Sequence, residues 1–265
     1  MRLSEMQDMS NEVVLVTGAS GHIGKIIVNT FLSVGATIVM VDINKLELKK
    51  FKDKNIKHKN KIHIFECDLE NKKAPELIFN FVTSNFDRLD VIVNNAAFVG
   101  ESKIDGWIEK FEDQSVETWR RAIEVNLTVI FAISQKFVKL LKSSGNGRIV
   151  NISSIYGFLG PNMNLYEDTS MGNPAAYAVS KGGLIQLSRW LSTTLAPNIR
   201  VNTISPGGIE RGQPKEFQNK YISKTPLNKL GSEEDLIGVI LFLGSNMSKY
   251  VTGQNIVVDG GFSAI

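Results

Sequence analysis

Tyr177 and Lys181 form a Tyr-x-x-x-Lys pair inside AAYAVSKGGLIQLSRW, a stretch with helical spacing. Four residues apart on a helix, the two side chains rise from one face. A tyrosine alone, with an ordinary pKa of about 10, transfers protons poorly at neutral pH. A neighbouring ammonium favours the phenolate and lowers that value. A drop of about 3 units needs roughly 4 kcal/mol of differential interaction, which Lys181 and a second nearby positive group could supply. So placed, the pair is a general acid/base aimed at a hydroxyl or carbonyl oxygen. The same spacing also arises by chance as surface decoration, so its weight depends on its companions.

The second such segment is Thr17-Gly18-Ala19-Ser20-Gly21-His22-Ile23-Gly24, between the apolar run VVLVT and a helical pattern. A glycine-rich turn there lets a pyrophosphate approach the backbone amides and the positive end of the helix. Its place at the first strand-to-helix junction separates it from an ordinary tight turn. Gly18, Ser20, Gly21, His22, Ile23 and Gly24 are therefore the expected phosphate cradle of a dinucleotide. Asp42 closes the second apolar run, 24 residues after Gly18. A carboxylate there accepts hydrogen bonds from the adenosine ribose and repels a 2′-phosphate, which favours NAD(H) over NADP(H). Lys45 nearby pulls the other way.

The elements that must position these groups alternate along the chain. VVLVTG, TIVMVD, KIHIFECD, LDVIVNNAA, GRIVNISS, NIRVNTISPG and QNIVVDGG read as seven strands. Between them lie helical patterns such as GKIIVNTFLSVG, the charged KLELKKFKDKN, and the long SVETWRRAIEVNLTVIFAISQKFVKLLKSS. Near-continuous apolar strands alternating with helices imply a parallel sheet covered on both faces, and right-handed crossovers make it doubly wound. The expected fold is α/β, a single-domain Rossmann fold over residues 1–265. No repeat, linker or shift in composition marks a boundary.

In this order along the chain, the pieces resemble the short-chain dehydrogenase/reductase family over about residues 12–262. Ser154, in Asn151-Ile152-Ser153-Ser154, matches that family's catalytic serine, and Asn126, in EVNLTVIF, the fourth member of its Asn-Ser-Tyr-Lys tetrad. Pro206-Gly207-Gly208-Ile209 follows the sixth strand as the family's cofactor-binding Pro-Gly segment does. The resemblance implies that Asp68 and Leu69 meet the adenine, and that Asn95, Ala96 and Ala97 leave room for the cofactor. It further implies hydride transfer between nicotinamide and a carbinol or carbonyl carbon. Tyr177 would exchange the proton, Ser154 orient the substrate oxygen, Lys181 hold the ribose and tune Tyr177, and Asn126 position a water. The glycine spacing is that of the family's extended branch, since His22 stands where the single-domain branch has its middle glycine. The chain is too short for the extended branch's extra domain, so His22 is read as a local variant without catalytic duty.

Two further departures bear on the substrate. Tyr177 stands 23 residues after Ser154 (177 − 154), where the family usually has about a dozen. Tyr166 sits at the usual distance, but Ser170 four residues on cannot stabilise a phenolate, so Tyr177 is the acid/base. The insert, about residues 158–174, offers Asn162, Asn164, Tyr166, Glu167, Asp168 and Thr169 as hydrogen-bonding groups for a polyhydroxylated substrate; the alternative is a surface loop for assembly. Arg211 replaces the threonine of the family's Pro-Gly-x-Ile-x-Thr and could meet a phosphate of cofactor or substrate, or face water. Residues 208–230 are the expected mobile lid. The whole pattern is similar to oxidoreductases of flagellin modification and sialic- or legionaminic-type sugar synthesis, implying a sugar, sugar phosphate or nucleotide-linked sugar. Rival readings are a nucleotide-sugar epimerase or dehydratase, a dehydrogenase of unrelated small alcohols, and a catalytically silent NAD(H)-sensing regulator.

Composition narrows the remainder. A net charge of +3 over 265 residues gives no reason to expect nucleic acid or an anionic membrane as partner. No apolar run reaches the roughly 20 residues that span a bilayer, and the polar start MRLSEMQDMSNE is not a leader, so a cytoplasmic protein is expected. Cys67 is the one cysteine and reads as a buried strand residue; His22, His58 and His63 lack ligand spacing, so no metal is expected. The family likeness adds a homo-oligomer, tetramer or dimer, with VVDGGFSAI at its interface.

Overall fold

A computed structural model describes residues 2–98 and 104–265. The strands are β1 (Val13–Thr17), β2 (Thr37–Asp42), β3 (Ile62–Glu66), β4 (Val91–Asn94), β5 (Gly147–Ile152), β6 (Ile199–Pro206) and β7 (Asn255–Val258). The helices in chain order are α1 (Leu3–Gln7), α2 (His22–Ser33), α3 (Lys45–Lys54), α4 (Ala74–Asn85), α5 (Val116–Ile123), α6 (Val129–Ser143), α7 (Ala175–Leu195), α8 (Lys215–Ile222) and α9 (Ile237–Gly244). All strands pair in parallel in the order β3-β2-β1-β4-β5-β6-β7.

The period-2 alternation of each strand sends its side chains to two separate cores. Val14, Val16, Ile38 and Met40 meet Ile27 and Phe31 of α2, Leu48 of α3 and Ile240 of α9 on one face. Leu15, Val39, Val41 and Ile92 meet Ile78 of α4, Ile133 and Phe137 of α6 and Leu184 of α7 on the other. The seven expected strands are all present; β2 fills its run, and the others end one to five residues short of theirs. The long helix expected over 115–144 is broken instead: Ser115 caps α5, and a π turn at Glu124–Thr128 separates it from α6. Cys67 lies just past β3 rather than in it, buried, with its thiol pushed up to about 11 by burial.

After β1 the chain winds outward to β2 and β3, then returns to place β4 on the other side of β1. Neighbouring loops diverge at that reversal and leave a crevice at the carboxyl ends of the strands.

Candidate active site

A cleft of about 750 Å³ occupies that crevice. Its wall contains Gly18, Gly21, His22, Ile23, Asp42, Asp68, Leu69, Asn95, Ala96, Ala97, Ser154, Tyr177, Lys181, Pro206, Gly207 and Ile209. Ser20, Gly24 and Asn126, also expected at the site, are not in the wall; they hold it from behind.

At the dinucleotide end, Gly18 has φ +61°, and a Cβ on it would lie 2.7 Å from Ala96 Cα. A Cβ on Gly24 would lie 2.1 Å from the Gly18 carbonyl oxygen. Both glycines are required by the turn's own packing. Gly21 is different: its φ is −71°, and a Cβ would meet nothing closer than the Gly18 oxygen at 3.4 Å. The room beside Gly21 is the cleft itself, and the first-turn amides of α2 have no preceding carbonyl to bind. These residues fit a pyrophosphate-bearing dinucleotide. Asp42 Oδ2 accepts the Ser20 N–H at 2.9 Å and Oδ1 the Asn44 N–H at 3.0 Å, leaving lone pairs for further donors. Lys45 turns to Glu66, 2.9 Å away. Asn95 ties the ends of β1 and β4 together by donating its side-chain amide to the Thr17 and Gly18 carbonyls. His22 is exposed on the rim, its Nδ1 3.4 Å from Glu233.

At the other end, α7 and the turn after β5 meet closely because both carry glycine. A Cβ on Gly157 would come within 2.8 Å of the Lys181 backbone, and one on Gly182 within 2.9 Å of the Gly157 oxygen. That contact sets Ser154 beside Tyr177, near enough for its hydroxyl to favour the phenolate. Burial pushes the Tyr177 phenol above its ordinary value, while Ser154 and then the charge of Arg211 pull it back. Lys181 Nζ donates to the Ile152 carbonyl at 2.8 Å and lies 5.7 Å from the Tyr177 ring centroid. Burial pushes its ammonium down to about 8. The expected lowering by Lys181 is not found: its ammonium is turned to a backbone carbonyl, and the phenol stands above its ordinary value with Ser154 and Arg211 only partly opposing burial. Asn126 accepts the Phe98 N–H at 2.7 Å and donates to Ser180 Oγ at 3.1 Å. It clamps the segment after β4 to α7.

The insert differs most from its reading. Of the six polar groups expected to face substrate, Tyr166 alone lines the cleft. Asn162 caps its own turn, Thr169 donates to the Tyr166 carbonyl, and the Asn164 and Glu167 carbonyls accept Lys220 of α8. Tyr166 packs on Phe217, and Phe217 on Tyr221, so the insert buttresses the lid segment. The cleft's chemical end is lined as well by Tyr156, Asn173, Gln213, Phe217 and Tyr221, none of which the sequence reading named as site residues. Tyr156 could have been suspected from its place two residues after Ser154. Nothing local marked Phe217 or Tyr221, whose helix is ordinary and amphipathic.

Such an arrangement can hold a dinucleotide along the glycine turn and a hydroxyl or carbonyl oxygen between Ser154 and Tyr177. A family model described as enoyl-(acyl carrier protein) reductase matches residues 18–263. The chain belongs to the short-chain dehydrogenase/reductase family. It is 32% identical over 256 residues to the post-translational flagellin modification protein A of Campylobacter coli, covering 96% of this chain and 99% of that one. It is also 32% identical over 260 residues to the 3-oxoacyl-(acyl-carrier-protein) reductase FabG of Thermotoga maritima, covering 96% and 98%. A short-chain dehydrogenase of Leptospira borgpetersenii with bound NAD+ superposes with a TM-score of 0.85 at 34% identity, covering 99% and 96%. As a short-chain dehydrogenase/reductase, the chain is an oxidoreductase acting on CH–OH groups, with a fold that binds nicotinamide cofactors. No helix among its described residues is long and apolar enough to cross a membrane.

Proposed function

We propose that this chain uses NAD(H) to interconvert a carbinol and a carbonyl on a polar, sugar-type substrate. The observation that carries the chemistry is the convergence of Ser154, Tyr177 and Lys181 on one wall of the cleft. A bound nicotinamide supplies the acceptor or donor of the hydride. In the reducing direction the carbonyl carbon takes up a hydride with its two electrons and the neutral Tyr177 phenol gives its proton to the carbonyl oxygen; oxidation runs the same steps in reverse, from the phenolate. Ser154 hydrogen-bonds and orients the same substrate oxygen. Lys181, whose ammonium donates to the Ile152 carbonyl, would hold the nicotinamide ribose. Asn126 keeps α7 in register with the segment after β4.

NAD(H) is favoured because Asp42 presents a carboxylate where a 2′-phosphate would lie, while Lys45 is paired to Glu66. The sugar reading rests on the likeness to the Campylobacter coli protein, which covers nearly the whole of both chains. Residues 158–174 and 208–230 would border the substrate, the latter as its lid. A cytoplasmic dimer or tetramer, with the exposed C-terminal Val257 and Ile265 near an interface, belongs to the same reading. The test is to follow NADH and NADPH absorbance against sugars, sugar phosphates, nucleotide sugars, secondary alcohols and acyl thioesters. Net NAD-linked turnover of a sugar compound supports the reading. Turnover of acyl thioesters alone refutes the substrate class. Conversion without net change in external cofactor points to an epimerase or dehydratase.

A further inference from the structure

Arg211 has no structural duty in the fold. Its side chain is exposed at the cleft and has no hydrogen-bond or ion-pair partner among the described residues. Its backbone, in contrast, is fixed. The Arg211 N–H donates to Gln213 Oε1 at 2.7 Å, and Gln213 Nε2 donates to the Ile209 carbonyl at 2.7 Å. Glu210 N–H donates to the Gly231 carbonyl at 2.8 Å, closing the loop at its base. A free guanidinium is thus held out on a pinned loop, close enough to Tyr177 for its charge to favour the phenolate.

The charges in the described cleft wall are divided between its two ends. The carboxylates in the cleft wall are Asp42 and Asp68 at the dinucleotide end and Glu70, which Arg121 grips through two bonds of 2.8 Å. Among the described residues none stands in the wall at the Tyr177 end, where Arg211 is accompanied by neutral side chains and the buried Lys181. In the same wall, Asn173 Oδ1 is a buried acceptor without a partner among the described residues. A planar guanidinium fits carboxylate and phosphate oxygens through paired hydrogen bonds, and an open acceptor fits a hydroxyl.

We propose that Arg211 reads the substrate: its guanidinium takes the anionic oxygens, carboxylate or phosphate, of a hydroxylated compound whose reacting oxygen sits between Ser154 and Tyr177. This rests on the oxidoreductase reading and narrows its substrate to acidic members of the sugar class. The cofactor's own phosphates are the competing partner, and the test separates them.

The full chain saturated with NADH is titrated calorimetrically with two matched pairs, gluconate against sorbitol and glucose 6-phosphate against glucose. Wild type, Arg211→Gln and Arg211→Lys are compared. The expected result is that one anionic member binds about 10- to 100-fold tighter than its neutral partner. That preference collapses in Arg211→Gln and survives in part in Arg211→Lys, with NADH affinity unchanged. The pair that shows it distinguishes carboxylate from phosphate. Equal binding of both members, no binding of either, or a preference that survives in Arg211→Gln overturns the proposal. So does a loss of NADH affinity in Arg211→Gln, which would assign the guanidinium to the cofactor. Because binding is read without turnover, failure of hydride transfer across the panel would defeat the oxidoreductase reading separately.

Discussion

Gly21 and Gly24 sit three residues apart in one turn, yet the structure gives them different tasks. Alanine at Gly24 puts its methyl 2.1 Å from the Gly18 oxygen and 2.8 Å from Ala19 Cα. Gly18 cannot retreat, because Ala96 lies behind it and Asn95 Nδ2 holds its oxygen at 2.9 Å. Overpacking of this kind costs about 3 kcal/mol. The better helix propensity of alanine returns about 1 kcal/mol. The net loss of about 2 kcal/mol lowers Tm by roughly 4–8 °C in a chain of this size. Alanine at Gly21 meets only one atom, at 3.4 Å, with a φ open to every residue. Its stability should stay within about 0.5 kcal/mol of wild type. Its methyl instead enters the pyrophosphate space, so NADH affinity should fall by about tenfold or more. Thermal melts followed by circular dichroism, with NADH fluorescence titration on the same samples, check both. A Gly24→Ala protein that melts like wild type, or a Gly21→Ala protein that is destabilised yet binds NADH normally, refutes this division of labour.

Replacing Asp42 by Asn removes the charge that repels a 2′-phosphate, so the NADH-to-NADPH ratio of kcat/KM should drop by about tenfold or more. Lys181 is 3% exposed with its pKa pushed down to about 8 from 10.5, so the unfolded chain binds more protons between those values. Stability should therefore rise with pH from about 8 towards 10, by up to about 3 kcal/mol in the difference between wild type and Lys181→Met. Denaturant unfolding across that range reads it, and the subtraction removes the opposite trend of Cys67 and the buried tyrosines, whose values are raised. Phe217→Ala should loosen the lid from the insert, raising substrate KM by roughly tenfold while NADH binding stays unchanged.

The sheet and its strand set were legible because their signals are local, and the glycine turn and Asp42 expected at the cofactor end do line one cleft. Seven apolar runs, three spaced glycines and an aspartate at a strand end each carry their meaning within a few residues. Tyr177 and Lys181, paired by one helical turn in the sequence, both line the cleft, as Tyr166 does. What was not legible depends on contacts distant in sequence. The polar insert looked like a sugar-binding loop, but five of its six polar side chains stand outside the cleft, and its backbone is tied to Lys220, more than 50 residues away. Asn126 carried a helical pattern on both sides, and only its tertiary bonds to Phe98 and Ser180 accompany the π turn that breaks the helix. Arg211 was visible as a departure from pattern, while its lack of a side-chain partner among the described residues is a property of the fold.

The central claim is that Tyr177 moves the proton that accompanies hydride transfer, and Tyr177→Phe tests it most directly. The substitution removes one hydroxyl beside Ser154 and leaves the ring and Lys181 in place. The measurement is kcat for NAD-linked turnover of the best substrate found, with NADH affinity taken on the same protein. The account predicts a fall in kcat of about 100-fold or more with NADH binding unchanged. Turnover within a few-fold of wild type would contradict it and move the acid/base to another group in the cleft.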